Sequence, residues 1–329
     1  FQTVGLQIMN TKYENKGFNK SVIDTMFKAK SLKTYQQYNT YWSRWEKFCA
    51  QHGVHTTQPP IGPVVNFLQD CREEHNLGFS AVNTARSALA MAVTCEGAPL
   101  AENEDLCTYM KGVKNESPHL PKYSEIWDAD ILLNYLNSQG SPENLELKEL
   151  SIKLAALLLI SSGQRVQTLA HLSTDNLLLG PDIARFSIFS KLKHTRDKGT
   201  EVTFRSFPEN KNLCPVAHLS KYIQVTTPLR SSPQLFVSYQ KPHNPVGTQT
   251  LSRWVRNALS AAGIDLSMFG AHSIRASSSA AAKRGGATLD TILNAGSWAR
   301  AGTFKTWYDK PILGETPSFQ DAVLHKHKD

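Results

Sequence analysis

The chain has 329 residues, of which 40% are hydrophobic, so its length and composition exclude a disordered protein and allow two domains with separate cores. Its 36 lysines and arginines outnumber its 28 aspartates and glutamates, which gives a net charge of +8. A basic excess of this size suits a polyanionic partner, nucleic acid first, although many proteins carry such a charge without binding one. No apolar run has membrane-spanning length, so no membrane partner is predicted.

The first half of the chain, taken from its N-terminus, shows helical patterning without strand signals. Residues 1–30 are polar and weakly patterned, and we interpret them as an N-terminal extension. Aromatic side chains at spacings of three and four predict a helix over 31–53 whose aromatic stripe packs in a core. Further helices are predicted within 59–75, 79–97 and 102–113. Together they predict a small helical DNA-binding bundle over residues 31–113.

Prolines, lysines and polar residues interrupt this periodicity over residues 114–125, which we interpret as a linker. Residues 126–311 mix helical patterns with two strand-like segments, 184–190 and 201–207, which predict a hairpin with a basic tip. The predicted fold class is mainly α with two domains, an N-terminal helical bundle and an α+β catalytic domain with a small antiparallel sheet. Residues 312–329 are predicted to form a C-terminal helix or tail.

The five cysteines are odd in number and scattered along the chain: Cys49, Cys71, Cys95, Cys107 and Cys214. None of them belongs to a pair with the spacing of a metal site. We interpret them as reduced thiols of an intracellular protein. The sequence therefore predicts neither a metal ion nor another cofactor.

A set of five side chains in the second half points to one chemistry: Arg165, His272, Arg275, Trp298 and Tyr308. Cleavage of a phosphodiester without a metal requires a nucleophile, cations on the non-bridging oxygens and a proton donor for the leaving oxygen. Planar guanidinium groups are suited to bidentate bonds with phosphate, which indicates the two arginines. His272 precedes Arg275 by three residues, on the same helical face, and can take or share a proton near neutral pH.

Tyr308 is the predicted nucleophile, and nearby cations would activate its phenol, whose free pKa is about 10. Trp298 either donates its indole N–H to a phosphate oxygen or packs to shape the pocket. The leaving 5′ oxygen needs an acid, and a lysine on the predicted hairpin suits that role, which makes Lys191 and Lys193 the candidates. Each residue alone has an ordinary structural explanation, such as capping, packing or a solvated turn.

In the order and spacing of these residues the chain resembles the tyrosine recombinases, the phage-integrase-like enzymes. Their pattern is Arg, hairpin Lys, His-x-x-Arg, His or Trp, and Tyr. The segments RVQTLAHL, LCPVAHL and SWARAGTFKTWYDKP are most similar to recombinases of eukaryotic mobile elements, the DIRS-type and Ngaro-type retroelements and the Cryptons. The resemblance implies a metal-independent DNA strand transferase that forms a 3′-phosphotyrosyl intermediate.

Carried over residue by residue, the resemblance assigns catalytic roles to Arg165, Lys193, His272, Arg275, Trp298 and Tyr308. Lys193 matches the hairpin lysine of these elements better than Lys191 does, and Trp298 takes a position that is often histidine. The resemblance also implies a clamp on double-stranded DNA, and self-association to a dimer and a tetramer that passes through a Holliday junction. It further implies a C-terminal helix docked in trans and a location in the nucleus.

The chain departs from the family pattern at two points. Bacterial members have Arg-x-x-Glu, whereas this chain has Arg165-Val-Gln-Thr168, so a supporting acidic contact is missing or moved. Trp298 and Tyr308 are 10 residues apart, one more than is common in bacterial members. Tyr308 also follows Trp307, so the assignment of the nucleophile depends on the register of one aromatic pair.

Basic residues of the helices, linker and hairpin are candidate DNA contacts: Lys33, Arg44, Arg86, Lys114, Lys191, Arg253 and Arg256. They are equally compatible with ordinary exposed faces. Two other functions stay open, a type IB topoisomerase-like nicking and closing enzyme and a domesticated, catalytically silent DNA-binding protein. The intact catalytic set argues against the silent protein, because a binding module does not need the tyrosine.

Overall fold

The computed structural model describes residues 4–95, 97–117, 123–189, 200–314 and 323–324. The chain forms two compact units, residues 1–120 and 121–329. Both are mainly helical, and the second contains a small antiparallel sheet, so the predicted fold class is confirmed. Lys191, Lys193 and most of the predicted C-terminal helix lie outside the described residues.

Helices make up most of the first unit: α1 (Val4–Glu14), α2 (Lys20–Phe27), α3 (Leu32–His52), α4 (Ile61–Glu74), α5 (Phe79–Ala92) and α6 (Glu104–Glu116). The predicted aromatic stripe of α3 is confirmed, because Tyr35, Trp42, Trp45 and Cys49 are all buried. They share one core with apolar side chains of α4, α5 and α6. This core is the physical reason why the segment is helical, since its apolar spacing places these side chains on one face.

Helices α1 and α2 occupy a region in which the sequence pattern predicts only an extension. Met9 and Ile23 are buried there, but they are too few and too far apart to produce a periodic signal. Helix α1 packs closely on α3, and a Cβ atom at Gly5 would lie 1.5 Å from the Trp42 ring. The absence of a side chain at Gly5 therefore allows this approach.

Helix α5 ends at Ala92, earlier than the sequence pattern predicts. A short antiparallel pair follows, β1 (Thr94–Cys95) and β2 (Ala98–Pro99), in a half of the chain where no strand was expected. Gly97 has a φ of +79° in the turn between them, a conformation that favours glycine. The turn residue thus marks a strand connection and not the helix end.

The second unit contains helices α7 (Ala129–Ser138), α8 (Leu147–Ser162), α9 (Val166–Ala170), α10 (Pro215–Thr226), α11 (Thr248–Ala261), α12 (Ile274–Arg284), α13 (Leu289–Ala295) and α14 (Ala301–Trp307). Helix α8 is buried along most of its length and packs against α10, α11 and α12. Its sequence is apolar on all sides from Leu154 to Ile160, as expected for a central helix. The segments that contain the candidate site residues are arranged around its C-terminal end.

The predicted hairpin is present as β4 (Ile183–Ile188) and β5 (Thr200–Arg205), which are antiparallel. A third strand, β3 (Leu177–Leu179), pairs with β4, so the sheet order is β3-β4-β5. The sequence analysis missed β3 because three leucines in succession give no alternating pattern. The alternation along β4 and β5 buries Phe186 and Phe204 against the core of the unit.

Candidate active site

The end of α8 positions the first arginine. Gly163 ends the helix in the left-handed conformation, with a φ of +60°. Arg165 then lies in extended backbone as the N-cap residue of α9, half-buried. Glycine is favoured at such a helix end because a Cβ atom there would strain the backbone. The turn thus sends Arg165 away from the core of the unit.

Arg275, on α12, is fully buried and joins two parts of the site. Its Nη1 donates a hydrogen bond to the carbonyl of Gly163, and its Nη2 donates to the carbonyl of Gly296 at 2.6 Å. Its guanidinium Cζ also lies 3.6 Å from the centroid of the Trp298 ring. Arg275 therefore connects the turn before Arg165 to the turn before Trp298.

His272 and Tyr308 meet at the surface of the same site. His272 lies in a single 3-10 turn, Ala271–Ser273, just before α12, and not in the first turn of the helix as predicted. Its Nε2 is 3.0 Å from the phenol oxygen of Tyr308, the residue that ends α14. The same hydroxyl interacts with Arg165 and Arg275. Thus three of the predicted residues surround the hydroxyl oxygen of the fourth, Tyr308.

The pKa values follow from this crowding of positive charge. The His272 ring is open to solvent on one side, yet partial burial lowers its pKa, and the charges of Arg275 and Arg165 lower it further. Burial, together with the charge of Arg165, lowers the pKa of Arg275 to about 9, so this guanidinium remains protonated at neutral pH. A neutral imidazole can accept the phenol proton while two guanidinium groups stabilise the phenolate that results.

Trp298 belongs to the packing of the site. It is 8% exposed and stands edge-on to Tyr308 and Phe304, with ring centroids 5.0 and 5.1 Å away. Its indole N–H is buried and has no hydrogen-bond partner among the described residues. The ring therefore packs against Tyr308 and Arg275, and it carries one donor without a partner among the described residues.

Gly296 is required by this packing. A Cβ atom there would lie 1.8 Å from Cζ3 of Trp298, although the backbone of Gly296 has an ordinary helical conformation. Ser297, which follows, has a φ of +55°. The turn from Gly296 to Trp298 thus brings the indole onto Arg275.

Gln164 was missed by the sequence analysis. It is 4% exposed, and its Nε2 donates to the carbonyl of Ala295 at 2.6 Å and lies 3.4 Å from the Ser297 hydroxyl. Its Oε1 accepts a hydrogen bond from Thr168 at 3.1 Å. Thr168 is the residue that stands where bacterial relatives have glutamate. At the sequence position of that glutamate the chain therefore makes a neutral hydrogen bond to Gln164, and only the place of Gln164 beside Arg165 in the sequence could have suggested its role.

The candidate DNA contacts differ in their surroundings. Lys33, Lys114, Arg253 and Arg256 are exposed, on α3, α6 and α11. Two others are half-buried and engaged locally: Arg44 lies 5.8 Å from the Tyr41 ring centroid, and Arg86 donates to Asn83 at 3.1 Å. Lys191 lies outside the described residues, as does the catalytic candidate Lys193.

Within the part of the chain that the structure describes, no group of three or more His, Cys, Asp or Glu side chains could hold a metal ion. A search of the described helices finds none that is long and apolar enough to cross a membrane. The described cysteines Cys49, Cys71, Cys95, Cys107 and Cys214 are free thiols.

Known proteins resemble the chain in sequence and in fold. The model of the phage integrase family matches residues 130–311. No curated protein matches the chain. The XerH site-specific recombinase bound to palindromic difH substrate, in a post-cleavage complex, has 16% identity and a TM-score of 0.57 over 87% of this chain and 79% of that one.

Two further solved structures share the fold. The integrase of the Tn1549 transposon, in complex with circular intermediate DNA, has 11% identity and a TM-score of 0.52, covering 99% of this chain and 100% of its own. A lambda integrase dimer bound to a COC′ core site has 13% identity and a TM-score of 0.52, covering 93% and 76%. At such identities the likeness shows a common fold, whereas the family match spans more than half of the chain. The chain therefore belongs to the phage integrase family, and it is a tyrosine recombinase.

Proposed function

We propose that this tyrosine recombinase cleaves and rejoins duplex DNA at specific sites through a covalent phosphotyrosine. The observation that carries the proposal is the Tyr308 hydroxyl, 3.0 Å from Nε2 of His272 and in electrostatic interaction with Arg165 and Arg275, whose Cζ lies 5.2 Å from the Tyr308 ring centroid. A core tyrosine would bury its hydroxyl against one partner. Here the hydroxyl is surrounded by a proton acceptor and two cations, an arrangement that suits an attacking oxygen.

In the proposed reaction the phenol oxygen of Tyr308 attacks the scissile phosphorus. The P–O5′ bond breaks, a 3′-phosphotyrosyl bond forms, and the phenol proton passes to His272. Arg165 and Arg275 stabilise the negative charge that develops on the non-bridging oxygens. The leaving 5′ oxygen takes a proton from a general acid, for which Lys193 is the first candidate and Lys191 the second. Attack by a 5′ hydroxyl then reverses these steps and rejoins the strand.

The first unit supplies the proposed DNA clamp. We assign the clamp to the predicted bundle of residues 31–113 and the catalytic domain to residues 126–311. Helix α6 continues to Glu116, so the predicted linker of residues 114–125 begins after that residue. Exposed lysines such as Lys33 and Lys114 would bind phosphates without reading sequence. All three solved relatives described above are bound to DNA in their structures, which supports the same partner here. We expect DNA affinity to fall steeply with salt, because binding releases counterions.

The finer assignment is a recombinase of a eukaryotic mobile element, acting in the nucleus. It rests on the similarity of RVQTLAHL, LCPVAHL and SWARAGTFKTWYDKP to the recombinases of DIRS-type, Ngaro-type and Crypton elements. Assembly to a tetramer with a Holliday junction follows from the same proposal, because exchange of two duplexes requires four strand cleavages.

A nicked suicide substrate tests the proposed chemistry. The unaltered protein, Tyr308→Phe and Tyr135→Phe would be incubated in excess chelator with nicked duplexes carrying the repeats that flank the coding sequence. Tyr135 is a matched control, since it is half-buried in the same unit and its hydroxyl accepts a hydrogen bond from Gln139. We expect a covalent adduct on a denaturing gel from the unaltered protein and from Tyr135→Phe, and none from Tyr308→Phe. Equal adduct yields from all three would refute the assignment.

The same assay separates the alternatives. A nicked duplex of unrelated sequence serves as a second substrate. Adduct formation on both duplexes, with relaxation of supercoiled plasmid, would indicate a topoisomerase-like enzyme. Tight DNA binding without an adduct on either duplex would indicate the silent DNA-binding protein.

A further inference from the structure

A short segment before α7, residues 123–128, contacts the turn that carries His272. The indole N–H of Trp127 donates a hydrogen bond of 2.8 Å to the Ser273 hydroxyl, and Ser273 in turn donates to the Gly270 carbonyl at 2.7 Å. The Tyr123 hydroxyl accepts a hydrogen bond from the backbone N–H of Gly270 at 3.3 Å. Trp127 and Ser273 are both buried, so these bonds are shielded from water.

The same segment also contacts the chain that follows Tyr308. Ile126 forms a one-residue parallel bridge with Ile312: its N–H donates to the Pro311 carbonyl at 2.9 Å, and its carbonyl accepts from the N–H of Leu313 at 2.7 Å. The side chains of Ile126 and Ile312 are buried together with Ala276, one residue after Arg275. Two backbone hydrogen bonds and a small apolar cluster thus anchor the residues just after the nucleophile.

The Tyr308 ring does not belong to the main core of the unit. It packs against two small clusters, the one of Ile126 and another formed by Ile292, Trp298 and Phe304. The neighbouring Asp309 forms an ion pair of 2.8 Å with Lys283, but both side chains reach the solvent, and such surface pairs contribute little to stability. The position of the nucleophile therefore depends strongly on the bridge to Ile126.

We propose that residues 123–128 form a clasp that sets the distance between Tyr308 and His272 for strand cleavage. Trp127 acts on the histidine through Ser273, and Ile126 acts on the tyrosine through the 311–313 backbone. Both are positioning residues, since neither touches the reacting atoms. The inference rests on the proposed function, because it concerns the geometry of the same reaction.

The physical argument is that proton transfer and attack need a defined geometry. The His272 turn and the Tyr308 segment are 36 residues apart in the chain, so an element that binds both of them helps to fix the 3.0 Å contact between them. The clasp is such an element, because consecutive residues, Ile126 and Trp127, bind one segment each. Misplacement of a reacting group by about 1 Å can lower a rate by roughly a hundredfold.

Trp127→Phe tests the clasp, with Trp254→Phe as the matched control. Both tryptophans are buried in the same core of the second unit, but the indole N–H of Trp254 has no hydrogen-bond partner among the described residues. Adduct formation would be followed in single turnovers at saturating nicked DNA, beside DNA affinity and urea unfolding. We expect Trp127→Phe to form adduct at least about tenfold more slowly than Trp254→Phe, with affinity unchanged. Equal rates in the two variants would overturn the proposal.

Two additions keep the outcome clear. If Trp127→Phe does not fold, Ser273→Ala replaces it, because this change removes the hydroxyl that accepts the indole N–H and donates to the Gly270 carbonyl. Amide hydrogen exchange of the whole chain tests the clasp independently of strand cleavage. The exchange rate of residues 268–275 and 304–314 should rise in Trp127→Phe and not in Trp254→Phe. Equal exchange in both variants also overturns the clasp. Absence of adduct from the unaltered protein counts against the proposed function, and the exchange comparison then decides the clasp alone.

Discussion

Replacing Gly296 with alanine should damage the candidate active site although none of the predicted catalytic residues is itself replaced. The new Cβ atom would lie 1.8 Å from Cζ3 of Trp298, so ring and backbone must separate by roughly 1.5 to 2 Å to reach ordinary contact. The ring cannot move freely, because the Arg275 guanidinium lies over it, 3.6 Å from its centroid, and is itself held by the carbonyls of Gly163 and Gly296. Overpacking of this kind costs about 1 to 3 kcal/mol in the free energy of unfolding.

Urea unfolding and the suicide-substrate assay measure the two consequences. We expect the free energy of unfolding of Gly296→Ala to be lower by this amount, and its adduct to form up to roughly a hundredfold more slowly than that of the unaltered protein. Gly302→Ala is the control, since a Cβ atom there meets nothing within 4 Å, and its stability should be unchanged or slightly higher. In a Trp298→Ala background the ring is absent, so the same alanine at 296 should cost little. An equal cost of Gly296→Ala with and without the indole would refute the reasoning.

Three further predictions concern other parts of the chain. Gln164→Leu should leave the Ala295 carbonyl and the buried Thr168 hydroxyl without their partner. The free energy of unfolding should fall by about 1 to 3 kcal/mol and adduct formation should slow, whereas an unchanged stability and an unchanged rate would contradict this. Burial lowers the pKa of His218 from 6.5 to about 4, so the folded state disfavours its protonation, and stability is complete above pH 6.5 and is lost as the pH falls toward 4. Urea unfolding should show about 2 kcal/mol less stability at pH 5 than at pH 7, and His218→Leu should remove that part of the slope. Gly5→Ala should displace α1 from the Trp42 ring and destabilise the first unit, whereas Gly112→Ala, with open space around it, should not.

The sequence predicted the parts of the structure whose causes are local. The aromatic spacing in α3 and the alternation in β4 and β5 indicate directly which side chains are buried, and both predictions are confirmed. The chemistry of the site was also readable, because Arg, His-x-x-Arg and Tyr in this order have few other uses. The structure brings Arg165, His272 and Arg275 around the hydroxyl of Tyr308, with Trp298 packed beside them.

The sequence did not predict the contacts that hold these residues in place. Gln164 bonds to a carbonyl 131 residues away, and Trp127 bonds to a hydroxyl 146 residues away. Such pairs leave no periodicity, and a glutamine or a tryptophan in isolation is compatible with many environments. Helices α1 and α2 were missed for a related reason. They are polar segments held by a few buried side chains, and these can pack only against a core that other segments form.

The two arginines of the site are built for different tasks, which their surroundings reveal. Arg275 is fully buried, and each of its terminal nitrogens donates a hydrogen bond to a carbonyl, Nη1 to Gly163 and Nη2 to Gly296. Its position is therefore fixed before any substrate binds. Arg165 is half-buried, follows a glycine turn and uses extended backbone, so its guanidinium is less constrained. A fixed cation costs no reorganisation during the reaction, whereas a less constrained one can adapt to the phosphate. In the proposed reaction Arg275 would therefore provide a preorganised charge and a structural joint, and Arg165 would provide the adjustable contact with the scissile group.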